Sequence, residues 1–283
     1  MKPIYEFLIW DNCNNNCSFC FQREHPRLLS LKQKEQSLQC VIDYINSNLY
    51  IKGSHVLIVG GELFDNNNCE HILKNFWSKI KTLLCVNVID LLYINTNLIY
   101  KDTRCLITFL DTFEDVFPRI KFTTSYDLDG RFKCQEDRDL MLTNMDYVVS
   151  RGFNVVCNTI LTKKTCNSIL DNTFDVAKFQ KEHCCWVNLL PYIVYNKNLC
   201  CDQSHIFKAL RCVQKQDSTY LSKYIPNINI IQPRVLNYYD KEKNTFIYCS
   251  CERATCGHSI NFKKYSSNNT CFICDINKEF GVI

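Results

Sequence analysis

The chain has 283 residues, of which 46% are hydrophobic and 13% aromatic, and a formal charge of +4. That length suits one large domain with an appendage. The apolar content excludes wholesale disorder, and so mild a charge neither demands nor forbids a nucleic-acid partner. Twenty cysteines pose a choice between disulfides and metal. The first apolar run, Phe7-Leu-Ile-Trp10, is broken at once by Asp11 and lacks the core of a signal peptide. No stretch has the length of a membrane span. We therefore expect a cytoplasmic protein whose thiols stay reduced and whose clustered cysteines hold metal.

Residues 5–10 predict a short strand leading into Cys13-Asn-Asn-Asn-Cys17-Ser-Phe19-Cys20. The asparagine run is loop material, because short amides compete with helical hydrogen bonds. After a polar, basic stretch, residues 35–50 predict a helix with Leu38, Val41, Ile42 and Ile45 on one face. Val56-Leu-Ile-Val59 reads as a buried parallel strand ending at Gly60-Gly61-Glu62. With seven glycines in the whole chain, an adjacent pair marks a close backbone approach. A helix over 69–84 precedes a strand over 91–94, which ends at Asn95-Thr96-Asn97. A weaker helix over 103–115 precedes a strand over 120–124, ending at Ser125-Tyr126-Asp127. A helix over 135–150, closed by Gly152, leads to a strand that starts at Asn154 and ends near Asn158-Thr159. A helix over 166–181 and a strand over 186–190, stopped by Pro191, complete the series. Cys40, Cys69, Cys85, Cys105, Cys134, Cys157 and Cys166 are scattered singly and read as small buried hydrophobes.

Strands alternating with helices in this way predict an α/β fold, a partial (β/α)6 TIM-like barrel over 1–195. Residues 196–283 read as a small cysteine-rich C-terminal module. A polar cluster ends nearly every strand. One such cluster is ordinary turn chemistry, whereas a series along one barrel edge predicts a site.

C-x3-C-x2-C after a first strand, with Phe19 before the last cysteine, resembles the radical S-adenosylmethionine (radical SAM) superfamily. Gly60-Gly61-Glu62 matches the family's GGE motif, and Thr96-Asn97 is similar to its T-N-G element. Ser125-Tyr-Asp127-Leu-Asp-Gly-Arg131 and Asn158-Thr-Ile-Leu-Thr-Lys163 resemble segments of the branch with sulfatase maturases, peptide-modifying enzymes and molybdopterin-precursor synthases. The likeness covers roughly residues 5–195. It departs at Leu63, where the family has proline, and at Leu98, where it has glycine; the second change predicts a differently shaped loop. The resemblance implies that Cys13, Cys17 and Cys20 hold a [4Fe–4S] cluster whose open iron takes S-adenosylmethionine. It implies that Glu62, with the Gly60–Gly61 backbone, meets the amino group, and that Ser125, Asn158, Thr96 and Asp127 meet the ribose or carboxylate. Reductive cleavage would give a 5′-deoxyadenosyl radical that takes hydrogen from a substrate. It further implies oxygen sensitivity and a flavodoxin- or ferredoxin-like electron donor. A peptide or protein side chain is the expected substrate, with a nucleotide or small molecule as the alternative.

Other readings stand beside these. Cys13–Cys20 with His25 could form a zinc site. Glu62 could be a helix N-terminal acid, and Asp127–Arg131 a surface turn ion pair. Cys251, Cys256, Cys271 and Cys274 form two close pairs, with Cys249 spare, and suit either a second [4Fe–4S] cluster or structural zinc. The rival from another class is a non-catalytic zinc-binding interaction protein.

Overall fold

A computed structural model describes residues 4–18, 20, 28–48, 52–65, 69–191, 199, 201–223, 234–243, 245–248 and 279. The elements run β1 (Ile4–Leu8), α1 (Leu31–Ser47), β2 (Ser54–Val59), α2 (Glu70–Cys85), β3 (Ile89–Asn95) and α3 (Arg104–Phe113). They continue with β4 (Ile120–Ser125), α4 (Gln135–Ser150), β5 (Asn154–Leu161), α5 (Lys163–Leu170), α6 (Val176–Glu182) and β6 (Trp186–Pro191). Helix α7 (Gln203–Gln216), β7 (Arg234–Asp240) and β8 (Thr245–Tyr248) follow. They form one open sheet, ordered β6-β5-β4-β3-β2-β1-β7-β8. Strands β1 to β7 pair in parallel, and β8 runs antiparallel to β7. This is the partial TIM-like barrel that the alternation predicts, lengthened by β7 on the far side of β1.

Local chemistry explains the element ends. Ser30 and Gln33 form a reciprocal capping box that starts α1. Gly152, at φ +86°, follows the C-cap of α4, where a left-handed residue costs glycine nothing. The single helix expected over 166–181 is instead two, α5 and α6. Asn172 turns the chain at φ +63°, and Asp175 caps a fresh helix by accepting the Lys178 N–H. Asparagine tolerates that turn, and a cap aspartate restarts the helix.

On β3 to β6 alternate residues are fully buried, among them Leu92, Ile94, Phe122, Cys157 and Val187. They pack under the helices beside an aromatic cluster in which Trp77 and Phe109 meet edge-on at 4.9 Å. The intervening residues, including Tyr93, Asn95, Thr123, Ser125, Asn158 and Asn188, are half-buried on the opposite face. Cys69, Cys105, Cys157 and Cys166 are buried as expected, but Cys85 and Cys134 are exposed, at the end of α2 and the N-cap of α4. No helix among the described residues is long and apolar enough to cross a membrane.

Candidate active site at the C-terminal barrel edge

The cysteine loop leaves β1 and is clamped at once by the end of β2. The Ile9 N–H donates to Val59 O at 2.9 Å, the Gly61 N–H to Trp10 O at 2.8 Å, and the Glu62 N–H to Asn12 O at 2.8 Å. Trp10 Nε1 donates to Glu62 O at 3.2 Å. The two segments lie so close that a Cβ on Gly61 would sit 2.1 Å from Asn12 O. The glycine pair is therefore required by the approach of the loop itself.

Glu62 is buried, and its carboxylate is enclosed by protein donors. Oε1 accepts from the Leu63 N–H at 2.9 Å, the Phe64 N–H at 3.0 Å and Thr96 Oγ1 at 2.7 Å. Oε2 accepts the Asn97 N–H at 2.6 Å. Burial nevertheless raises the carboxyl to about 7, with the four hydrogen bonds pulling the other way. The helix-cap reading of Glu62 is not what holds it, since α2 begins only at Glu70.

Asn97 carries the connection back to the cysteines. Its Nδ2 donates to Asn14 Oδ1 at 2.8 Å and lies 3.6 Å from Cys13 Sγ, while its Oδ1 accepts the Ile99 N–H at 2.7 Å. The next residue, Leu98, takes φ +59°. The backbone here is left-handed, the conformation that glycine adopts without strain. That conformation costs a non-glycine residue about 1–2 kcal/mol. Complete burial of the leucine side chain offsets it by about 1.5–3 kcal/mol.

The segment after β4 grips the other side of the loop. The Ser18 N–H donates to Gly130 O at 2.9 Å, and Asn15 Nδ2 to Arg131 O at 3.1 Å. Asp127 and Arg131 do pair, at 2.7 Å, but their side chains are only 1% and 11% exposed. The pair is internal, not a surface turn contact. Asp127 Oδ1 also accepts the Ile160 N–H at 2.8 Å, tying this turn to β5. Thus Cys13, Gly60, Gly61, Glu62, Thr96 and Asp127 belong to one hydrogen-bonded mount. Ser125 and Asn158 stand beside each other in register on β4 and β5. Asn158 Oδ1 accepts from Asn188 Nδ2 at 3.3 Å. Trp10, Asn12, Asn97, Arg131 and Asn188 are the members to which motif reading gave no ligand role; Asn97 and Arg131 lay within segments that resemble family motifs. Phe19, His25, Cys249, Cys251, Cys256, Cys271 and Cys274 lie outside the described residues.

The cysteine loop has the donor set an iron–sulfur cluster requires. Three thiols leave one strand end, and the Asn15 N–H reaches Cys13 Sγ at 3.4 Å, in addition to Asn97. Donors aimed at the sulfurs are the outer contacts that tune such clusters. Cys13 opens to solvent on one side, yet the protein around it raises its thiol to about 11. Burial raises Cys17 as well, partly opposed by the Arg131 guanidinium. Among the described residues no three Cys, His, Asp or Glu side chains are already gathered around one ion-sized point.

Solved structures share this architecture. anSMEcpe with bound AdoMet superposes with a TM-score of 0.63 at 12% identity, over 98% of this chain and 92% of that one. The chain shares the fold of anSMEcpe. Native anSMEcpe with bound AdoMet and Cp18Cys peptide gives 0.60 at 13% identity, over 98% and 96%. Streptococcus suis SuiB bound to S-adenosylmethionine gives 0.51 at 16%, covering 79% of this chain and 48% of SuiB, so the chain spans about half of SuiB's length. No family model and no curated protein matches the sequence. Within this shared fold, the mount described above occupies the C-terminal ends of β1 to β4.

Proposed function

We propose that this protein is a radical SAM enzyme acting on a peptide or protein side chain. The observation that carries the reading is the joint between Cys13-x3-Cys17-x2-Cys20 and Gly60-Gly61-Glu62. Two motifs about forty residues apart in sequence meet through backbone hydrogen bonds at the edge where such folds build sites. Cys13, Cys17 and Cys20 would hold a [4Fe–4S] cluster as thiolates, so loading must remove the protons that burial favours. When bound, the cluster supplies the electron that splits S-adenosylmethionine into methionine and a hydrogen-abstracting 5′-deoxyadenosyl radical.

The chain's own residues position and shield this chemistry. The Gly60–Gly61 backbone holds the cysteine loop against the end of β2, beside which the amino acid end of the co-substrate would bind. Glu62 acts mainly by locking Thr96 and Asn97, since its oxygens already accept four protein hydrogen bonds. Ser125 and Asn158 present polar groups on the half-buried face, where the ribose or carboxylate would lie. Arg131, set by Asp127, places a positive charge near the thiols. The peptide assignment is supported by the Ser125–Arg131 segment and by the fold shared with anSMEcpe, which has been solved with a peptide.

Anaerobic reconstitution tests the reading. Iron and sulfide should bind, and dithionite should release 5′-deoxyadenosine from S-adenosylmethionine. Cys17→Ala should abolish that release. Zinc without iron would overturn the enzyme assignment in favour of a zinc-binding interaction protein. We further propose a cytoplasmic, oxygen-sensitive enzyme fed by a flavodoxin- or ferredoxin-like donor. Cys251, Cys256, Cys271 and Cys274 would hold a second cluster, with zinc as the alternative that metal analysis of a Cys271→Ala variant separates.

A further inference from the structure

Beside the cysteine loop, on the outside of the barrel, α4 faces α5 and α6 across an elongated groove. Its first compartment is a cavity of about 420 Å³ walled by Leu128, Phe132, Lys133, Arg138, Lys164 and Ser168, among others. A second, of about 380 Å³, continues from it through the shared residues Gln135, Arg138 and Thr173, with Leu142, Phe174 and Phe179 in its wall.

The two compartments differ in charge. The first has three cations and no carboxylate in its wall. Carboxylates close by in sequence make other bonds and none pairs with these three cations. Glu136 pairs with Lys101 at 2.7 Å, Asp137 accepts the Lys133 backbone N–H at 3.0 Å, and Asp139 accepts from Gln135 at 2.6 Å. Among the described residues Arg138 donates only through Nε, to the Tyr126 hydroxyl, and lies 5.3 Å over the Tyr126 ring. Among the described residues Lys133 Nζ reaches only Asn14 O, at 3.5 Å. Lys164 has no hydrogen-bond or ion-pair partner among the described residues. In the second compartment Lys178 lies 3.7 Å from Glu182 and His183 2.7 Å from Asp146, Asp175 accepts the Lys178 backbone N–H, and Leu142, Phe174 and Phe179 supply an apolar part of a mixed wall.

Three unneutralised cations around a recess attract an anionic group, and arginine grips carboxylates with paired donors. The recess continues into a compartment walled in part by Leu142, Phe174 and Phe179, so its complement is an extended segment rather than a flat protein face. The Lys133–Asn14 contact puts the cationic end against the cysteine loop. We propose that this groove binds an acidic segment of the peptide substrate, carboxylates in the first compartment and an apolar side chain in the second. The segment thereby anchors the substrate next to the barrel mouth. This rests on the peptide reading above.

The test uses the full reconstituted chain and a fluorescein-labelled synthetic peptide carrying glutamates followed by phenylalanine and leucine. Its control has glutamine at each glutamate. Anisotropy should show the acidic peptide binding about tenfold tighter than the control, a difference of about 1.4 kcal/mol. Lys164→Glu should erase the preference and Lys164→Gln reduce it, while charge reversal at Lys74 on α2 leaves it intact. Equal binding of the two peptides, or a preference that survives Lys164→Glu, overturns the proposal. So does a Lys164→Glu variant that keeps the peptide preference but is reduced more slowly by a flavodoxin-like donor, since the groove would then serve the donor. Release of 5′-deoxyadenosine under dithionite, without peptide, is scored separately. Its loss with peptide binding intact would sink the enzyme reading and leave the groove.

Discussion

At the β1–β3 side of the barrel mouth, every polar side-chain group of Glu62, Thr96 and Asn97 is spent on protein. The Glu62 carboxylate alone takes four donors. Across the mouth, among the described residues, Ser125 makes no side-chain hydrogen bond and Asn188 Oδ1 is buried without a partner. Buried polar atoms are normally satisfied, so the contrast is informative. The first side is a finished mount that sets the cysteine loop. The second is a wall whose unused groups are available to a ligand. The two sides should therefore respond oppositely to substitution, with stability lost on the mount and ligand affinity lost on the wall.

The largest effect is expected at Gly61. An alanine there must displace the Asn12 backbone, which its Cβ would meet at 2.1 Å, so Gly61→Ala should cost about 3 kcal/mol or more. Denaturant unfolding measures it, and a loss under about 1 kcal/mol would show that the two segments can part freely. Next comes the pH dependence of Glu62. Its folded value, about 7, lies above its ordinary 4.5. The folded state therefore holds this proton more tightly. The associated stability is complete below the ordinary value and is lost as pH rises through about 7. Subtracting the unfolding free energies of Glu62→Gln from those of the parent should reveal a fall of up to about 3 kcal/mol across that window. A flat difference would mean that the four donors outweigh burial.

Thr96→Val keeps shape but removes a donor to Glu62 Oε1 and the acceptor for the Leu98 N–H. It should destabilise the chain by about 1–3 kcal/mol. Ser125→Ala, its counterpart on the wall, should change stability by less than about 0.5 kcal/mol. Its effect should appear instead as a weaker affinity for S-adenosylmethionine, by about three- to tenfold, read by equilibrium dialysis on the reconstituted protein. If Thr96→Val and Ser125→Ala behave alike, the division into mount and wall fails.

The barrel and half of the site were legible because their signals are local. Val56–Val59 is apolar on both faces, and buried parallel strands are written that way. The cysteine spacing and the adjacent glycines are likewise local patterns. The break between α5 and α6 was missed because apolar spacing spans it, while Asn172 and Asp175 act through backbone geometry. The lengthening of the sheet by β7 was also missed, because its pairing with β1 joins residues more than two hundred positions apart. Trp10, Asn12 and Arg131 carry no motif of their own. Their roles arise only when three strand ends meet.

The amino-acid sequence by itself determined the order of strands and helices, the three-thiol loop and the need for glycine at residues 60 and 61. Those follow from side-chain periodicity and from steric limits that operate within a few residues. Tertiary structure alone decided that Glu62 faces inward onto Thr96 and Asn97, that Asp127–Arg131 is internal, and that Leu98 accepts a glycine's backbone. Each of those outcomes depends on burial and on which donors converge from separate strands. Desolvation and hydrogen-bond geometry are properties of the assembled edge, not of any one segment in it.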